Sequence, residues 1–422
     1  MKLKTRRSMQ TQKLIVGEER DIVIVGGGIC GLATALALHR KGIKSVVLER
    51  SETLRSTGAA IIMQPNGWRA LDQLGVASKL RQTAVPILSG LHIAIESSEL
   101  KDLPDVGKEE LRCLKRADLI QSLADDLPAD TIRFKCQVIS SKLDPITSFP
   151  ILQLRDGTLL KAQVVIGCDG VNSIISASIL GLKSTKHFST CVIRGFTNYE
   201  DGHEFGNKFV VVSGKDQVQL GRMPITNTLV YWFLTRKWSS RDGMISKHPE
   251  LIKRSVTETM TDRHFPKEAV EMTSKSELDS LHVTEQLRYR PPLELLRRRF
   301  RKGTVTVAGD AMHAMGPFLA QGGSASLEDA VVLGRCLARN LRTKYSASSF
   351  GGIEMRALMV GNAFDEYVKE RRKRAFRVSM ETYLIGLMLD SSSVIVKFIA
   401  IALMRAVFRD PGGHTRYNCG RL

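Results

Sequence analysis

Residues 21–50 read DIVIVGGGICGLATALALHRKGIKSVVLER, and no other stretch limits the fold as tightly. Residues 23–25 are a short apolar run with the character of a buried strand. Gly26, Gly28 and Gly31 then form a G-x-G-x-x-G turn, and residues 32–40 carry helical spacing. In such a turn the first glycine permits the sharp bend, the second lets backbone amides approach a diphosphate, and the third lets the helix pack close to the sheet. The diphosphate rests on unpaired N–H groups at the helix start. A second apolar run, 44–48, reads as the next parallel strand and ends at Glu49, where an acidic residue meets a ribose hydroxyl. Strand, turn, helix, strand and terminal acid together make a dinucleotide site. The Glu49 carboxylate repels a 2′-phosphate, although Arg50 beside it softens that repulsion, and the motif by itself fits FAD as well as NAD.

Composition sets the broad class. A chain of 422 residues with 43% hydrophobic and 25% charged residues buries a large core as an ordinary globular protein of two or three domains. Lys plus Arg number 62 against 43 Asp plus Glu, a formal charge of +19 that draws anionic cofactors, acidic metabolites or an anionic membrane. The basic residues are scattered and no base-reading module is visible, so no nucleic-acid partner is expected. The seven cysteines stand singly without a C-x-x-C pair, so neither a metal site nor a disulfide framework is expected and the compartment is a reducing one, the cytoplasm first. Residues 1–19 read as a flexible basic arm without the apolar core of a signal peptide; a plastid or mitochondrial address is the alternative if this arm targets or is truncated. The most apolar late stretch, 394–408, is broken by Lys397 and Arg405 and falls short of the ~20 apolar residues a membrane span needs.

Further along, Arg116 opens a helical stretch, either as a solvated charge or as a guanidinium reaching a cofactor's phosphates or ribose. Residues 131–138, 151–154 and 159–166 read as strands, with a hairpin turn at Asp156-Gly157. The last strand runs into Asp169-Gly170, which places a carboxylate at the sheet edge where open α/β sheets bind ligands, or else caps the turn. Residues 96–110 read as a loop. Between 184 and 282, β-type runs separated by Gly, Asp and Asn predict an antiparallel sheet inserted as a second domain, with Tyr231, Trp232, Phe233 and Trp238 either in its core or along a pocket. A strand at 304–308 ends in Gly309-Asp310, whose carboxylate suits a sugar hydroxyl. His313 reads as a local structural hydrogen-bonder. The tail from Tyr367 starts KERRKRAFR and turns apolar, as a helix that closes the core or lies on anionic membrane.

Three separated motifs now agree in kind and order: Gly26-x-Gly28-x-x-Gly31 with Glu49-Arg50, Asp169-Gly170, and Gly309-Asp310 with its Pro- and Gly-containing loop. Over residues 20–345 the chain resembles the single-component FAD-dependent monooxygenases of the aromatic-hydroxylase type. The run PFLAQGGSASLED is similar to plant monooxygenases related to zeaxanthin epoxidase. The resemblance implies that Gly26, Gly28 and Gly31 hold the ADP diphosphate, Glu49 and Arg50 the adenosine ribose, and that Arg116 is a further FAD contact, with Val138 by the adenine. It implies that Asp310 meets the ribityl-diphosphate part, that Gln321, Gly322 and Gly323 line the isoalloxazine, and that Asp169 has an indirect role linked to FAD and NAD(P)H. Two positions depart from the family pattern: Ser176 stands where D-G-x-x-S-x-x-R has arginine, and Ala320 where G-Q-G-x-N has glycine.

The fold class expected is α/β: a Rossmann-type FAD-binding domain in three parts (20–86, 113–183 and 287–345), an antiparallel β-sheet substrate domain (87–112 and 184–286), and a C-terminal helical segment (346–422). The resemblance implies bound FAD, NADH or NADPH as a transient reductant, and O2. It implies too that one oxygen atom is transferred to a small apolar or aromatic substrate by way of a flavin C4a-hydroperoxide. No catalytic side chain is implied, since the organic chemistry belongs to the cofactor. The alternatives are an FAD reductase or dehydrogenase without oxygen insertion, and a non-catalytic flavin-binding interaction protein.

Overall fold

The computed structural model describes residues 18–54, 59–103, 106, 109–341, 352–408, 410 and 412–422. The first apolar run is the strand Glu18–Val25, whose last four residues are buried. It is paired in parallel on both sides, with Leu159–Gly167 and with Val46–Leu48. Across the sheet the parallel strands run Val305–Val307, Leu159–Gly167, Glu18–Val25, Val46–Leu48 and Ile132–Arg133. Strands covered on both faces need apolar residues in succession rather than alternation, which is what residues 22–25 supply. The order reverses between Glu18–Val25 and Leu159–Gly167, and in open α/β sheets ligands bind at such a reversal, beyond the carboxyl ends of the strands.

The expected arm 1–19 lies largely outside the described residues, but Glu18 and Glu19 already pair with Leu160 and Lys161 and belong to the sheet. A second correction concerns 131–138, which is not one strand. Ile132–Arg133 joins the parallel sheet, whereas Val138–Leu143 pairs antiparallel with Pro150–Leu154. Between them Lys135 has φ +60°, and the Lys135 and Cys136 N–H groups bond back to the carbonyls of Ser51 and Glu49. That tertiary turn interrupts an uninterrupted β-like composition.

The second sheet has seven strands in the order His282–Thr284, Thr190–Asn198, Leu229–Lys237, Gln219–Pro224, Lys208–Ser213, Ser89–Ala94 and Glu99–Asp102. All neighbours are antiparallel except Lys208–Ser213 on Ser89–Ala94, which are parallel. The loop expected over 96–110 is corrected by Glu99–Asp102, an edge strand hydrogen-bonded to Ser89–Ala94. Its four residues are all exposed, so it carries no apolar face from which a strand could be read.

One face of this sheet packs Ile193, Trp232 and Leu234 against the helices Pro249–Asp262 and Lys267–Ser274. The other face turns to the nucleotide domain, where the strands Ala60–Met63 and Arg112–Lys115 cover it. After the helix Gly322–Leu341 come Gly352–Asp390, 39 residues long, and Val394–Val407. The chain end then folds back onto the nucleotide domain, where Lys41 Nζ donates to the Leu422 carbonyl at 2.6 Å. Among the described residues no helix is long and apolar enough to cross a membrane.

Candidate flavin site

Gly26, Cys168 and Ala308 each follow the carboxyl end of one of three adjacent parallel strands, so the three motifs meet at one edge of the sheet. Gly26 has φ +106°, and a Cβ there would lie 2.4 Å from the Cys168 carbonyl oxygen. A Cβ on Gly31 would lie 1.9 Å from the Gly26 oxygen, but one on Gly28 would meet nothing within 4 Å. The outer two glycines therefore permit close packing, and the middle one keeps an approach open. The helix Ile29–Arg40 starts beside it with no side-chain cap, leaving first-turn N–H groups and the positive end of the helix dipole directed outward.

Glu49 is buried. Its Oε2 accepts the Gly27 N–H at 2.7 Å and its Oε1 the Ser51 N–H at 2.9 Å, so it ties the glycine turn to the end of the second strand. Arg50 next to it is exposed. Val138 is buried opposite Leu154 in the main core. Asp169 behaves as a cap: its carboxylate accepts Ser173 Oγ at 2.5 Å and the N–H groups of Ile174 and Ile175 at 2.7 and 3.2 Å. Burial raises its pKa, with those bonds opposing the shift.

Asp310 differs from both. It is partly exposed, and its carboxylate accepts no hydrogen bond from any described residue. Burial raises its pKa, and the charges of His313 and Arg116 act against that rise, which places the Arg116 guanidinium within electrostatic reach. Arg116 is the first residue of the helix Arg116–Asp125. An acceptor left without a partner beside an open glycine turn suits a hydroxyl-bearing ligand, so the residues present fit FAD.

Gly322 and Gly323 open the helix Gly322–Leu341. A Cβ on Gly322 would meet nothing within 4 Å, and one on Gly323 would come to 3.9 Å from Ile29 and Ile61, so this turn faces the first one. The Gln321 side chain does not face it. It is fully buried, its amide bonded to Gln64 and Asn66 and its carbonyl to Asn66 Nδ2 at 2.8 Å, so the residue offers only backbone to a ring. Ala320 has φ +52°, the left-handed conformation that costs alanine about 1 kcal/mol and glycine nothing.

Ser176 is buried and donates to the Ala311 carbonyl at 2.8 Å. Arg290 donates to the same carbonyl at 3.2 Å and to that of Lys183. A guanidinium thus reaches this corner from the segment before Pro291 rather than from position 176.

The sequence reading missed the cluster that fixes these loops. Asp329 accepts the Gly309 N–H at 2.8 Å, His313 Nε2 at 2.6 Å and Arg371 Nε at 2.6 Å. Glu328 accepts from Asn66 at 2.6 Å and pairs with Arg371 at 2.7 Å and Arg374 at 3.0 Å. All these side chains are buried. Burial pushes the Asp329 carboxyl up, but His313 and Arg371 outweigh it and hold it well below the usual range. His313 is thus the structural hydrogen-bonder expected. Arg371 and Arg374 come from the KERRKRAFR run, and Arg372 caps the carbonyls of Leu295, Leu296 and Arg298. The membrane-facing reading of that run is corrected, because these three arginines are turned into the protein.

On the seven-stranded sheet Tyr231 and Phe233 face the nucleotide domain with Phe196 and Met223. Trp232 points the other way, its Nε1 donating to Ser276 Oγ at 2.9 Å. Phe233 also joins a second cluster with Phe188, Tyr289, Tyr383 and Phe318, and Phe318 lies in the turn Pro317–Leu319 just before Gln321.

The family model described as FAD binding domain matches residues 19–350. The chain is 46% identical over 410 residues to Monooxygenase 1 of Arabidopsis thaliana, covering 96% of this chain and 100% of that one. It is 35% identical over 412 residues to Monooxygenase 2 of the same plant, covering 95% and 98%. The fold is similar to the crystal structure of Klebsiella pneumoniae HpxO complexed with FAD and uric acid, with a TM-score of 0.72 at 19% identity over 94% of this chain and 96% of that one.

Proposed function

Since this chain belongs to the FAD-binding-domain family and is an FAD-dependent monooxygenase, we propose that it uses NADH or NADPH and O2 to place one oxygen atom in a small apolar or aromatic molecule. That molecule would lie between the seven-stranded sheet and the turn at 320–323. Bound FAD supplies the redox chemistry, taking up reducing equivalents and activating oxygen. The chain's own part is to hold and enclose. The N–H groups beyond Gly28 receive the diphosphate, Asp310 accepts a hydroxyl, and the N–H groups of Gly322 and Gly323 face the ring system. The aromatic face of the sheet keeps water from the reacting atoms.

One observation carries this reading: the Asp310 carboxylate, without a hydrogen-bond partner among the described residues, stands at the same sheet edge as the open approach over Gly28. The test is oxidation of NADH or NADPH under oxygen-18 gas with a panel of aromatic substrates. The expected outcome is one labelled oxygen in the product. Reductant consumption with unlabelled product would instead favour a reductase or dehydrogenase.

A separate observation supports peripheral membrane contact. The helix Val394–Val407 exposes Val394, Ile395, Phe398, Ile399 and Leu403, carries Lys397 and Arg405, and contains no carboxylate. At 14 residues it suits lying in an interface rather than spanning. The protein is expected to sediment with phosphatidylserine vesicles and far less with pure phosphatidylcholine. Serine at Phe398 and Ile399 should abolish the difference, and equal recovery with both lipids would count against it. The cysteines are unpaired, which supports a reducing compartment such as the cytoplasm; cell fractionation checks that placement.

A further inference from the structure

The turn before Gly322 passes through a conformation that alanine resists. Ala320 has φ +52°, and a residue with a side chain stays left-handed only where its surroundings fix it. Here the peptide that joins Leu319 to Ala320 is pinned at both ends. Its N–H donates to the Pro317 carbonyl at 2.9 Å, and its carbonyl accepts Gln64 Nε2 at 3.0 Å. On the far side of Ala320 the buried Gln321 side chain donates to Gln64 Oε1. One side chain, Gln64, therefore grips the chain on both sides of the strained residue.

Gln64 does not spend its side chain on its own element. It stands at the N-cap of the helix Pro65–Leu74 yet makes no capping bond, and Pro65 at the first helical position removes one of the N–H groups that would need one. It directly follows the strand Ala60–Met63, whose Ile61 approaches Gly323. Asn66, two residues on, serves the buried network instead, with its Nδ2 donating to Gln321 at 2.8 Å and to Glu328 at 2.6 Å. Gln64 is only partly buried, so the bonds it makes to the turn can be removed without exposing the ion pairs behind.

Resting on the flavin reading of this edge, we infer that Gln64 is a positioning residue for the flavin ring: it holds Ala320 left-handed and so aims the Gly322 and Gly323 N–H groups. The helix Gly322–Leu341 is 20 residues long and directs the positive end of its dipole to the same place. Donors fixed in advance favour the reduced ring, which carries more negative charge than the oxidised one. Glycine at 320 would adopt this shape without help, whereas alanine needs the clamp. Positions 64 and 320 are therefore energetically coupled, and a double-mutant cycle between them reads that coupling.

The experiment measures the midpoint potential of bound FAD, and FAD affinity of the apoprotein, in the wild type, Gln64→Met, Ala320→Gly and the double variant. Methionine keeps the length of the side chain but has no N–H to donate. Gln64→Met is expected to weaken the preference for reduced over oxidised flavin about tenfold, a fall of about 30 mV for two electrons. Its apoprotein should melt close to the wild type. Adding Ala320→Gly should recover most of the loss, while Ala320→Gly alone should shift the potential far less. Where Gln64→Met retains too little flavin for a potential, the affinities carry the same comparison, and recovery of FAD binding in the double variant is the expected result. An unchanged potential and affinity in Gln64→Met, or a loss that Ala320→Gly does not recover, would overturn the inference. Either result with FAD-loaded wild type sinks this inference alone, whereas wild type that takes up no FAD sinks the reading beneath it.

Discussion

Gly31→Ala is expected to yield protein that has lost most of its flavin and part of its stability. The added methyl would sit 1.9 Å from the Gly26 carbonyl oxygen and 3.4 Å from Ile24 Cγ2. The first obstacle is backbone of the turn itself, so no side chain can swing aside to relieve the clash. Either the helix Ile29–Arg40 lifts from the sheet or the glycine turn changes shape. Overpacking of this kind costs about 1–3 kcal/mol, and an equal loss from cofactor binding is about tenfold to hundredfold in affinity. Gly28→Ala provides the contrast. Its methyl meets nothing within 4 Å and its φ of −84° suits alanine, so the apoprotein should melt as the wild type does while FAD affinity still falls. FAD titration and thermal melting of the two apoproteins separate the effects. Unchanged flavin affinity in both variants would contradict the assignment of this turn to the diphosphate.

Arg371→Leu is expected to be the most destabilising single change in the helix Gly352–Asp390. Arg371 is fully buried and bridges Glu328 and Asp329, two carboxylates that are themselves fully buried. Removing the guanidinium leaves uncompensated charge inside the protein, at about 3–5 kcal/mol. That is a large part of the roughly 5–15 kcal/mol by which folded proteins are stable. The damage should reach the flavin edge as well, because Asp329 also fixes the Gly309 N–H and His313. Arg371→Lys retains a charge but not the fork that reaches both acids, so it should fall between wild type and Arg371→Leu. Urea unfolding of the FAD-loaded proteins measures this order, and a loss below about 1 kcal/mol for Arg371→Leu would show that the network carries little.

The flavin edge was readable because local rules govern it. Gly26, Gly28 and Gly31 follow a strand and open a helix, and Asp169 and Gly309-Asp310 end strands of the same sheet. What escaped depends on partners far apart in the chain. Gln321 sits in the expected turn, yet Asn66 and Arg374 draw its side chain inward, and nothing near position 321 reports that. The edge strand Glu99–Asp102 has no buried face, so no alternation marks it.

Arg371 and Arg374 did leave a signal. With Val360, Phe364, Tyr367, Ala375 and Val378 they lie on the buried stripe of the helix Gly352–Asp390, at helical spacing. Arginines on an apolar stripe imply buried acids elsewhere, and LED at 327–329 supplied them. Ser176 shows the reverse case. The sequence marks an arginine missing, and only the fold reveals Arg290 reaching the same carbonyl.

The most direct test is the flavin content of the purified full chain, determined from its visible absorption and from the nucleotide released on denaturation. Yellow protein carrying one FAD per chain, or apoprotein that takes up one FAD on reconstitution, is the expected result. Colourless protein that remains so in excess FAD would contradict the account at its foundation.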